Sequence, residues 1–298
     1  MKLNIGYFAD GPWSHIAFDK LIEDNEILIS FICVRFDTND ETLKNYCKKY
    51  NIKYLKHENI NSEDFINQIS LFECDLFVSM SFNQIFKQEI INLPKLKTIN
   101  CHAGKLPFYR GRNILNWALI NDEKEFGITV HYIDEGIDTG DIILQRTYPI
   151  NDEDNYASLL IISYYECANI LYDAIKLFKD ASVKRVSQDD IDPVGFYCSQ
   201  RKIGDEDLNW TQGSREIFNF VRAISSPGPS ARTYLHGKEM KINKVEYIRN
   251  ATNYKCIVGA ILQKDKNGFL VKTEDNFVKV TEFDYDGKFR VGDRFEIK

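Results

Sequence analysis

The sequence predicts an α/β fold, with a largely parallel sheet and helices on both faces, followed by a small all-β domain. In the first two-thirds of the chain, apolar runs rich in β-branched residues alternate with longer amphipathic stretches. Strands that are apolar on both faces are typical of a parallel sheet covered on both sides. After residue 200, short β-like runs follow one another, with turn pairs such as Asn267-Gly268 between them.

The first part of the chain reads as a Rossmann-like alternation of strands and helices. The expected strands are Leu3–Ala9, Ile27–Val34, Leu76–Ser81, Thr98–His102 and Gly127–Asp134. The expected helices are His15–Glu23, Glu41–Tyr50, Glu63–Phe72, Arg112–Asn121 and a long one at Tyr156–Lys179. The first turn, Gly6-Tyr-Phe-Ala-Asp-Gly11, lacks the spacing of a dinucleotide-binding motif, so neither a nicotinamide cofactor nor ATP is predicted.

A polar stretch at 182–200, with Pro193 and Gly195, predicts a domain boundary. It divides the chain into a catalytic domain at 1–200 and a smaller domain at 201–298. The smaller domain begins with a helix at Glu216–Ile224 and continues as a hairpin or OB-like β structure. Its expected strands are Lys241–Ile248, Ile257–Gln263, Gly268–Thr273, Phe277–Phe283 and Arg294–Ile297.

Composition favours a cytoplasmic globular protein and disfavours metal and membrane classes. The 298 residues are 44% hydrophobic and 28% charged. No apolar run approaches the roughly 20 residues that cross a bilayer, and the first residues lead directly into a strand rather than a secretory signal. The 7 cysteines form no CxxC pair and the 5 histidines no HExxH pair. A disulfide framework and a metal site are therefore not expected.

The net charge of -6 is unevenly distributed. Residues 1–200 hold 20 Lys and Arg against 30 Asp and Glu, a net charge of -10, whereas residues 201–298 hold 18 against 14, a net charge of +4. A basic part of this kind can meet a diphosphate or an RNA backbone, but the excess is small. A balanced, solvated surface is the favoured interpretation, and nucleic acid is not the expected partner.

One segment combines a polar pair with a basic loop, in the order Thr98-Ile-Asn-Cys-His-Ala-Gly-Lys-Leu-Pro-Phe-Tyr-Arg-Gly-Arg112. Asn100 and His102 are two apart on a predicted strand, so both side chains project from one face at its carboxyl end. Open parallel sheets bind ligands at that edge. The basic, glycine-punctuated loop that follows indicates a site for an anionic ligand.

A second segment pairs a strand with an acidic loop, Val130-His-Tyr-Ile-Asp-Glu-Gly-Ile-Asp-Thr-Gly-Asp141. A carboxylate there could reach His102, hold one imidazole tautomer and stabilise the cationic form, while Asn100 could donate to an oxyanion. This chemistry suits acyl transfer, or proton transfer next to a carbonyl. The residues alone also allow a purely structural interpretation, in which the histidine belongs to the core and Asp134, Asp138 and Asp141 only form turns.

The two segments together resemble the formyltransferases that use 10-formyltetrahydrofolate. The resemblance rests on Asn100-Cys-His102, on Leu106-Pro-Phe-Tyr-Arg-Gly-Arg112 and on Gly136-Ile-Asp-Thr-Gly-Asp141, and it covers roughly residues 1–230. It implies that His102 transfers protons, that Asn100 stabilises the tetrahedral oxyanion, and that Asp138 orients His102. One departure from the common family pattern, Ala103-Gly-Lys105, leaves the three residues intact and affects only the expected shape of the loop.

The resemblance also implies a folate pocket and no metal. The loop at the end of the 76–81 strand looks like the segment that holds the pterin, although a plain strand-to-helix turn is equally compatible with its residues. The cofactor-binding residues implied are Met80, Ser81, Phe82, Gln84, Ile85, Phe86, Arg112, Asp134, Gly136 and Asp141.

The expected acceptor is a nucleotide-linked amino sugar. The helix start Arg112-Asn-Ile-Leu-Asn-Trp117 and the stretch Ser225-Ser-Pro-Gly-Pro-Ser-Ala-Arg232 resemble sugar-formylating members. Rings that could stack on a base, cations that could meet a diphosphate and residues that could line the cleft are Trp13, Tyr109, Phe196, Tyr197, Arg201, Lys202, Asn219 and Arg222. For each of these, linker, core or helix surface is the competing interpretation.

Among acceptors, dTDP-4-amino-4,6-dideoxyglucose is favoured, with a role in the lipopolysaccharide O-antigen. The alternatives are methionyl-tRNA formylation and a non-catalytic folate-binding module. A tRNA partner demands a stronger basic face, and the acidic residues of the β-domain disfavour it. A homodimer is expected, because hairpin-rich domains with exposed strand edges often associate.

Overall fold

The computed structural model describes residues 2–253 and 255–296. The chain forms two compact units that interleave along the sequence. The first runs from the amino-terminal end to Gly111 and takes in Phe126–Tyr148 and Ile161–Cys198. The second contains Arg112–Glu125, Pro149–Leu160 and the chain from Ser199 on. The expected division after residue 200 stays a prediction, and the two earlier segments in the second unit were not anticipated.

The first unit is built on a seven-stranded sheet of order β3-β2-β1-β4-β5-β7-β8. Its strands are β1 (Leu3–Ala9), β2 (Ile27–Val34), β3 (Lys53–Lys56), β4 (Leu76–Met80), β5 (Thr98–His102), β7 (Glu125–Tyr132) and β8 (Ile142–Pro149). The first five strands in this order, β3, β2, β1, β4 and β5, pair with one another in parallel. Strand β7 runs antiparallel to β5. The expected largely parallel sheet is therefore confirmed.

A short parallel pair, β6 (Arg110–Gly111) and β9 (Tyr197–Cys198), joins the loop after β5 to the segment before residue 200. The helices before residue 200 are α1 (Gly11–Glu23), α2 (Glu41–Tyr50), α3 (Glu63–Ser70), α4 (Gln88–Asn92), α5 (Ile114–Ile120), α6 (Tyr156–Lys179) and α7 (Gln188–Ile191). Helix α1 begins four residues before the expected start, because Pro12 is favourable in the first helical turn.

Strands β3 and β8 were not predicted from the sequence. Strand β3 has four residues, of which only Leu55 is buried, so it lacks a clear apolar run. Strand β8 is buried only at its start, and its later residues such as Arg146 are exposed. Both strands lie at sheet edges, where a strand needs little apolar surface.

Aromatic packing holds the carboxyl end of β1 against its neighbours. Phe8 is fully buried and makes edge-to-face contacts with Phe31, Phe77, Phe82 and Phe86, at centroid distances of 5.5, 5.3, 5.5 and 5.0 Å. Such pairs are favourable beyond the area that they bury. This cluster anchors the loop that leaves β4.

The second unit combines α5, α8 (Ser214–Ile224) and an antiparallel sheet of order β10-β11-β14-β13-β12. The strands are β10 (Ala231–Leu235), β11 (Lys238–Tyr247), β12 (Ile261–Asp265), β13 (Gly268–Lys272) and β14 (Phe277–Asp284). The expected small all-β domain is confirmed. In place of the expected strand at Arg294–Ile297, Arg294 makes a single bridge to Ala260, and Ile297 lies outside the described residues.

Within the second unit, α5 packs on α8, and the buried Asn116 amide donates to the Ala223 carbonyl oxygen at 2.6 Å. Among the residues described, no helix is long and apolar enough to span a membrane. Within the same ranges, no group of three or more His, Cys, Asp and Glu could hold a metal ion.

Candidate active site

Asn100 and His102 project from one face of β5 at the edge where the parallel strands end. Both side chains are partly accessible, while their neighbours Thr98, Ile99 and Cys101 are buried. Cys101 points the opposite way, and its thiol donates to the Cys167 carbonyl oxygen. The alternation of a strand therefore puts the two polar groups together on the open face.

Both nitrogens of the His102 imidazole have defined surroundings. Nε2 lies 2.8 Å from the carbonyl oxygen of Tyr109, and because a carbonyl can only accept, Nε2 carries the hydrogen. Nδ1 lies 3.6 Å from Asp138 Oδ2, which is too long for a hydrogen bond but close for an ion pair. The neutral ring therefore presents the Nδ1 lone pair as its basic site, and the backbone carbonyl fixes that tautomer.

Gly104 makes room for this arrangement. A Cβ atom at residue 104 would lie 2.4 Å from His102 Nε2 and 2.4 Å from the Tyr109 carbonyl oxygen. Both are far inside contact distance, and one of them is backbone. Glycine is thus required beside the imidazole, for reasons of space.

Asp138 lies between β7 and β8 with a positive φ of 56°. Its Oδ2 accepts from the Gly111 amide at 2.9 Å, in the loop that follows β5. Burial raises the pKa of this carboxyl, but His102, His131 and the Gly111 amide outweigh that effect and lower the pKa well below its usual range. Asp138 is therefore an anion beside His102, and the three predicted catalytic residues lie together.

His131 is a fourth member of the cluster and was not predicted from the sequence. It stands opposite Asn100 in the antiparallel pairing of β5 and β7 and is 2% exposed. Its Nε2 lies 3.2 Å from Asn100 Nδ2 and 3.5 Å from Asp138 Oδ1. The signal was a histidine inside an apolar strand, but assigning it to the site required the antiparallel register of β7.

Gln188 is a second residue that the sequence did not single out. Its side chain is 2% exposed, and Oε1 accepts from Nε and Nη2 of Arg110 at 3.0 and 2.8 Å. Its Nε2 donates to the carbonyl oxygens of Asp138 and Gly140, both at 2.8 Å. One amide thus joins the loop after β5 to the loop that carries Asp138.

The loop 80–86 combines buried and exposed groups. Phe86 is buried, and Gln84 is bonded to the Ile60 amide and the His57 carbonyl oxygen, so both shape the loop itself. Ile85 is 61% exposed. Ser81 has a positive φ of 58°. Among the residues described, no donor reaches the buried Oδ1 of Asn83.

The acidic loop is held by its own side chains. Asp134 Oδ1 accepts from the Gly136 amide at 3.1 Å and from the Thr139 hydroxyl at 2.5 Å. At the end of this loop, the Asp141 carbonyl oxygen accepts from the amide of Tyr132, the last residue of β7. Ile137, at the tip, is 53% exposed.

The residues of the first unit that were predicted to bind the acceptor substrate lie in the loop after β5, in or next to β9, and at the start of α1. Tyr109 is buried and packs edge-to-face on Phe196 at 4.9 Å. Phe196 and Tyr197 are 41% and 54% exposed, and the Arg110 guanidinium lies over the Tyr197 ring. Trp13 is half-buried, and its ring contacts that of Tyr164.

The predicted residues of the second unit are mostly engaged with their own unit. Asn219 is 1% exposed and accepts from Arg222, whose guanidinium also donates to the Asn151 and Asp154 carbonyl oxygens. Arg201 donates to the Asp205 carbonyl oxygen. The Arg112 guanidinium donates to Gln200 Oε1 at 3.4 Å, and the Lys202 backbone amide donates to Asp205 Oδ2 at 2.6 Å.

Two models of known protein families match parts of the chain. Residues 35–161 match the formyl transferase family model, and residues 202–292 match the formyl transferase C-terminal domain. A methionyl-tRNA formyltransferase of Fusobacterium nucleatum is 33% identical over 87% of this chain and 84% of its own. One of Halothermothrix orenii is 33% identical over 98% and 96%.

Solved structures share the fold. A sugar 3N-formyltransferase, WlaRD, solved in the presence of dTDP and 5-N-formyl-THF, superposes with a TM-score of 0.69 at 22% identity and covers 95% of this chain and 98% of its own. An N-formyltransferase of Helicobacter canadensis, solved with folinic acid and dTDP-3-aminofucose, gives 0.66 at 22% identity, over 95% and 100%. With the two family models and the relatives above 30% identity, the chain is an enzyme of the formyltransferase family.

Proposed function

We propose that this enzyme moves a formyl group from 10-formyltetrahydrofolate to the amine of a nucleotide-linked amino sugar. The observation that carries the reaction is the convergence of Asn100, His102 and an ionised Asp138 at one edge of the sheet. The donor supplies the formyl group when it is bound. The catalytic roles of the three residues are part of the proposal.

His102 Nδ1 is the base in this mechanism. Its lone pair is available because Nε2–H is fixed on Tyr109 O. As an uncharged amine attacks, Nδ1 takes the amine proton, and the resulting imidazolium lies 3.6 Å from the Asp138 carboxylate. Nδ1 then returns a proton to the departing nitrogen. General acid–base help of this kind contributes typically about 10²–10⁴-fold in rate.

Asn100 stabilises the negative charge that develops on the acyl oxygen. One hydrogen of Nδ2 faces His131, and among the described residues no protein acceptor takes the other. A donor held at a developing oxyanion is worth roughly 10²–10³-fold in kcat.

The two loops at the sheet edge suit a pterin. The buried Asn83 Oδ1 needs a donor, and a pterin carries N–H groups. Ile85 and Ile137 expose apolar surface that could cover a flat ring. The loops flank one core, since Phe82 and Ile133 pack against the same buried cluster. These features support folate binding at loops 80–86 and 134–141.

Charge supports a small anionic acceptor over RNA. Two arginines of the second unit are held by carboxylates: Arg215 pairs with Asp122 and Asp152 at 2.6 and 2.7 Å, and Arg232 pairs with Asp207 at 2.6 Å. Paired cations release few counterions from a phosphate backbone, so they contribute little to RNA affinity. Asp122 and Asp152 lie outside residues 201–298, so the +4 net charge of that stretch does not count the negative charge that they place beside Arg215.

Methionyl-tRNA formylation is the second candidate, because the curated relatives named above carry that name at 33% identity. The two candidates differ in salt dependence. Transfer to tRNA should weaken steeply as salt rises, whereas a nucleotide sugar with two phosphates should show a shallow slope. The nucleotide, the hexose and the homodimer remain predictions, with dTDP-4-amino-4,6-dideoxyglucose as the first acceptor to try.

The deciding experiment is a transfer assay with 10-formyltetrahydrofolate and a panel of dTDP-, UDP- and GDP-linked amino sugars, beside methionyl-tRNA. Transfer to a nucleotide sugar, with that sugar also raising the melting temperature, supports the proposal. Transfer to methionyl-tRNA alone would reverse the choice of acceptor. No transfer to any acceptor, despite folate binding, would favour a non-catalytic folate-binding module.

His102→Ala tests the catalytic assignment within the same assay. Loss of Nδ1 should reduce turnover by about 10²-fold or more, while folate binding, measured by calorimetry, stays near that of the unsubstituted enzyme. Asp173→Asn, which alters an exposed ion pair with Arg146, is the matched control and should leave turnover unchanged. Near-normal turnover in His102→Ala would remove His102 from the mechanism.

A further inference from the structure

His131 has no role in the mechanism above, although it lies in the same cluster of side chains. It is 2% exposed, and its two ring nitrogens have different surroundings. Nδ1 lies 2.8 Å from the Tyr132 carbonyl oxygen, so Nδ1 must carry a hydrogen. In the neutral ring, Nε2 is then a lone pair, and it faces Asn100 Nδ2 at 3.2 Å.

This lone pair determines which end of the Asn100 amide is drawn to His131. An acceptor at Nε2 attracts Nδ2 and repels Oδ1, because amide nitrogen can only donate and amide oxygen can only accept. A hydrogen on Nε2 would reverse the preference and turn Nδ2 away. The Asp138 carboxylate, 3.5 Å from Nε2, can accept a hydrogen from that nitrogen only in the cationic ring, so in the neutral ring Nε2 is left to Asn100.

We infer that His131 is a positioning residue that fixes the Asn100 amide so that Nδ2 donates to the developing oxyanion. One hydrogen of Nδ2 bonds to His131 Nε2, and the other remains directed to substrate. The register of β5 and β7, which pairs Asn100 with His131, supplies the geometry. The inference rests on the proposed function, since it assigns the donor that the reaction needs.

Two substitutions separate this role from a structural one. The amide nitrogen of Asn occupies the place of Nδ1, so His131→Asn can keep the bond to the Tyr132 carbonyl and loses the contact with Asn100. The amide of Gln reaches the place of Nε2, so His131→Gln can keep an acceptor for Asn100 Nδ2. A merely structural role predicts rescue by Asn, whereas positioning predicts rescue by Gln.

The expected result is a fall in kcat of about 10²-fold for His131→Asn, the usual loss of one oxyanion donor. His131→Gln should remain within about tenfold of the unsubstituted enzyme, and KM for the folate should change little in both. In the Asn100→Ala background, His131→Asn should cost almost nothing more, because the two residues act as one unit. A higher kcat in His131→Asn than in His131→Gln would overturn the inference.

A measurement on the unsubstituted enzyme covers the case in which the variants fold poorly. Nitrogen-15 NMR of its 5 histidines distinguishes the two tautomers. His131 should show a protonated Nδ1 and an unprotonated Nε2 with folate bound, and a protonated Nε2 would contradict the inference. This result does not depend on the acceptor, so failure of the proposed function in the transfer assay can be told apart from failure of this inference.

Discussion

At the scale of single residues, the backbone sets the protonation pattern of the site. The Tyr109 and Tyr132 carbonyl oxygens each take one imidazole hydrogen, from His102 and His131. The Asp138 carboxylate faces the remaining nitrogen of both rings. The arrangement differs from the expectation that a carboxylate selects the tautomer of His102, since a carbonyl does so. In the proposed mechanism, the carboxylate stabilises the cationic form of His102.

Gly104 provides a test at this scale. Gly104→Ala should reduce turnover by about tenfold or more, because the new Cβ would displace His102 Nε2 or the Tyr109 carbonyl and release the tautomer. Steady-state kinetics beside calorimetric folate binding would measure this. Gly237→Ala, in a β-turn with nothing within 4 Å of the new Cβ, is the control. It should lower stability slightly and leave kcat unchanged. Equal effects of the two substitutions on kcat would contradict the argument.

The sequence identified Asn100, His102 and Asp138 because a strand period and a resemblance both pointed to them. His131 was not predicted as a site residue, because a histidine flanked by Val130 and Tyr132 looks like a core residue until the antiparallel register is known. Gln188 was not predicted for another reason: it lies 50 residues from Asp138, so no local sequence pattern links the two. Contacts that depend on long-range pairing are not encoded in spacing.

At the scale of elements, the segment 186–198 braces the loop after β5 and the loop that carries Asp138. Val186 bridges Ile142, Gln188 links Arg110 to Asp138, and β9 pairs with β6. Gly111 has no room for a side chain, since a Cβ there would lie 2.5 Å from the Cys198 carbonyl oxygen. The sequence marked this stretch as a polar linker, but the structure uses it as part of the first unit.

Gln188 substitutions test the brace. Gln188→Leu leaves the Arg110 guanidinium without its buried acceptor and should cost about 2–4 kcal/mol of unfolding free energy. Gln188→Glu can keep Arg110 paired but turns a carboxylate oxygen towards the Asp138 and Gly140 carbonyls. We expect Glu to restore much of the stability in chemical denaturation and little of the turnover. Full recovery of kcat in Gln188→Glu would show that the two carbonyl contacts are dispensable.

At the scale of the whole molecule, carboxylates of depressed pKa make the fold sensitive to acid. Burial raises the pKa of Asp122, but the hydrogen bonds from Arg215 and Lys124 outweigh it and lower the pKa, as His102 and His131 do for Asp138. A carboxyl group with a lowered pKa in the folded state stabilises it above the unfolded value, near 4. That contribution is lost as the pH falls further, through the lower folded values.

We therefore expect the denaturation midpoint to fall as the pH drops below about 4. Asp138→Asn should be less stable than the unsubstituted enzyme at pH 7 and should approach it in acid, because Asn cannot gain a proton. Urea melts at a series of pH values would measure both. Asp173→Asn is again the control, and its curve should run parallel to that of the unsubstituted enzyme. A constant difference between Asp138→Asn and the unsubstituted enzyme across pH would contradict the assignment.

The bond from His102 Nε2 to the Tyr109 carbonyl has a kinetic consequence. In the proposed mechanism this hydrogen stays bonded to the backbone carbonyl, so the hydrogen at Nδ1 is the only one that the imidazole transfers. Rates measured in mixtures of light and heavy water should then fall in a straight line with deuterium content. A bowed line would mean that both ring hydrogens move together, and that the imidazole works as a relay.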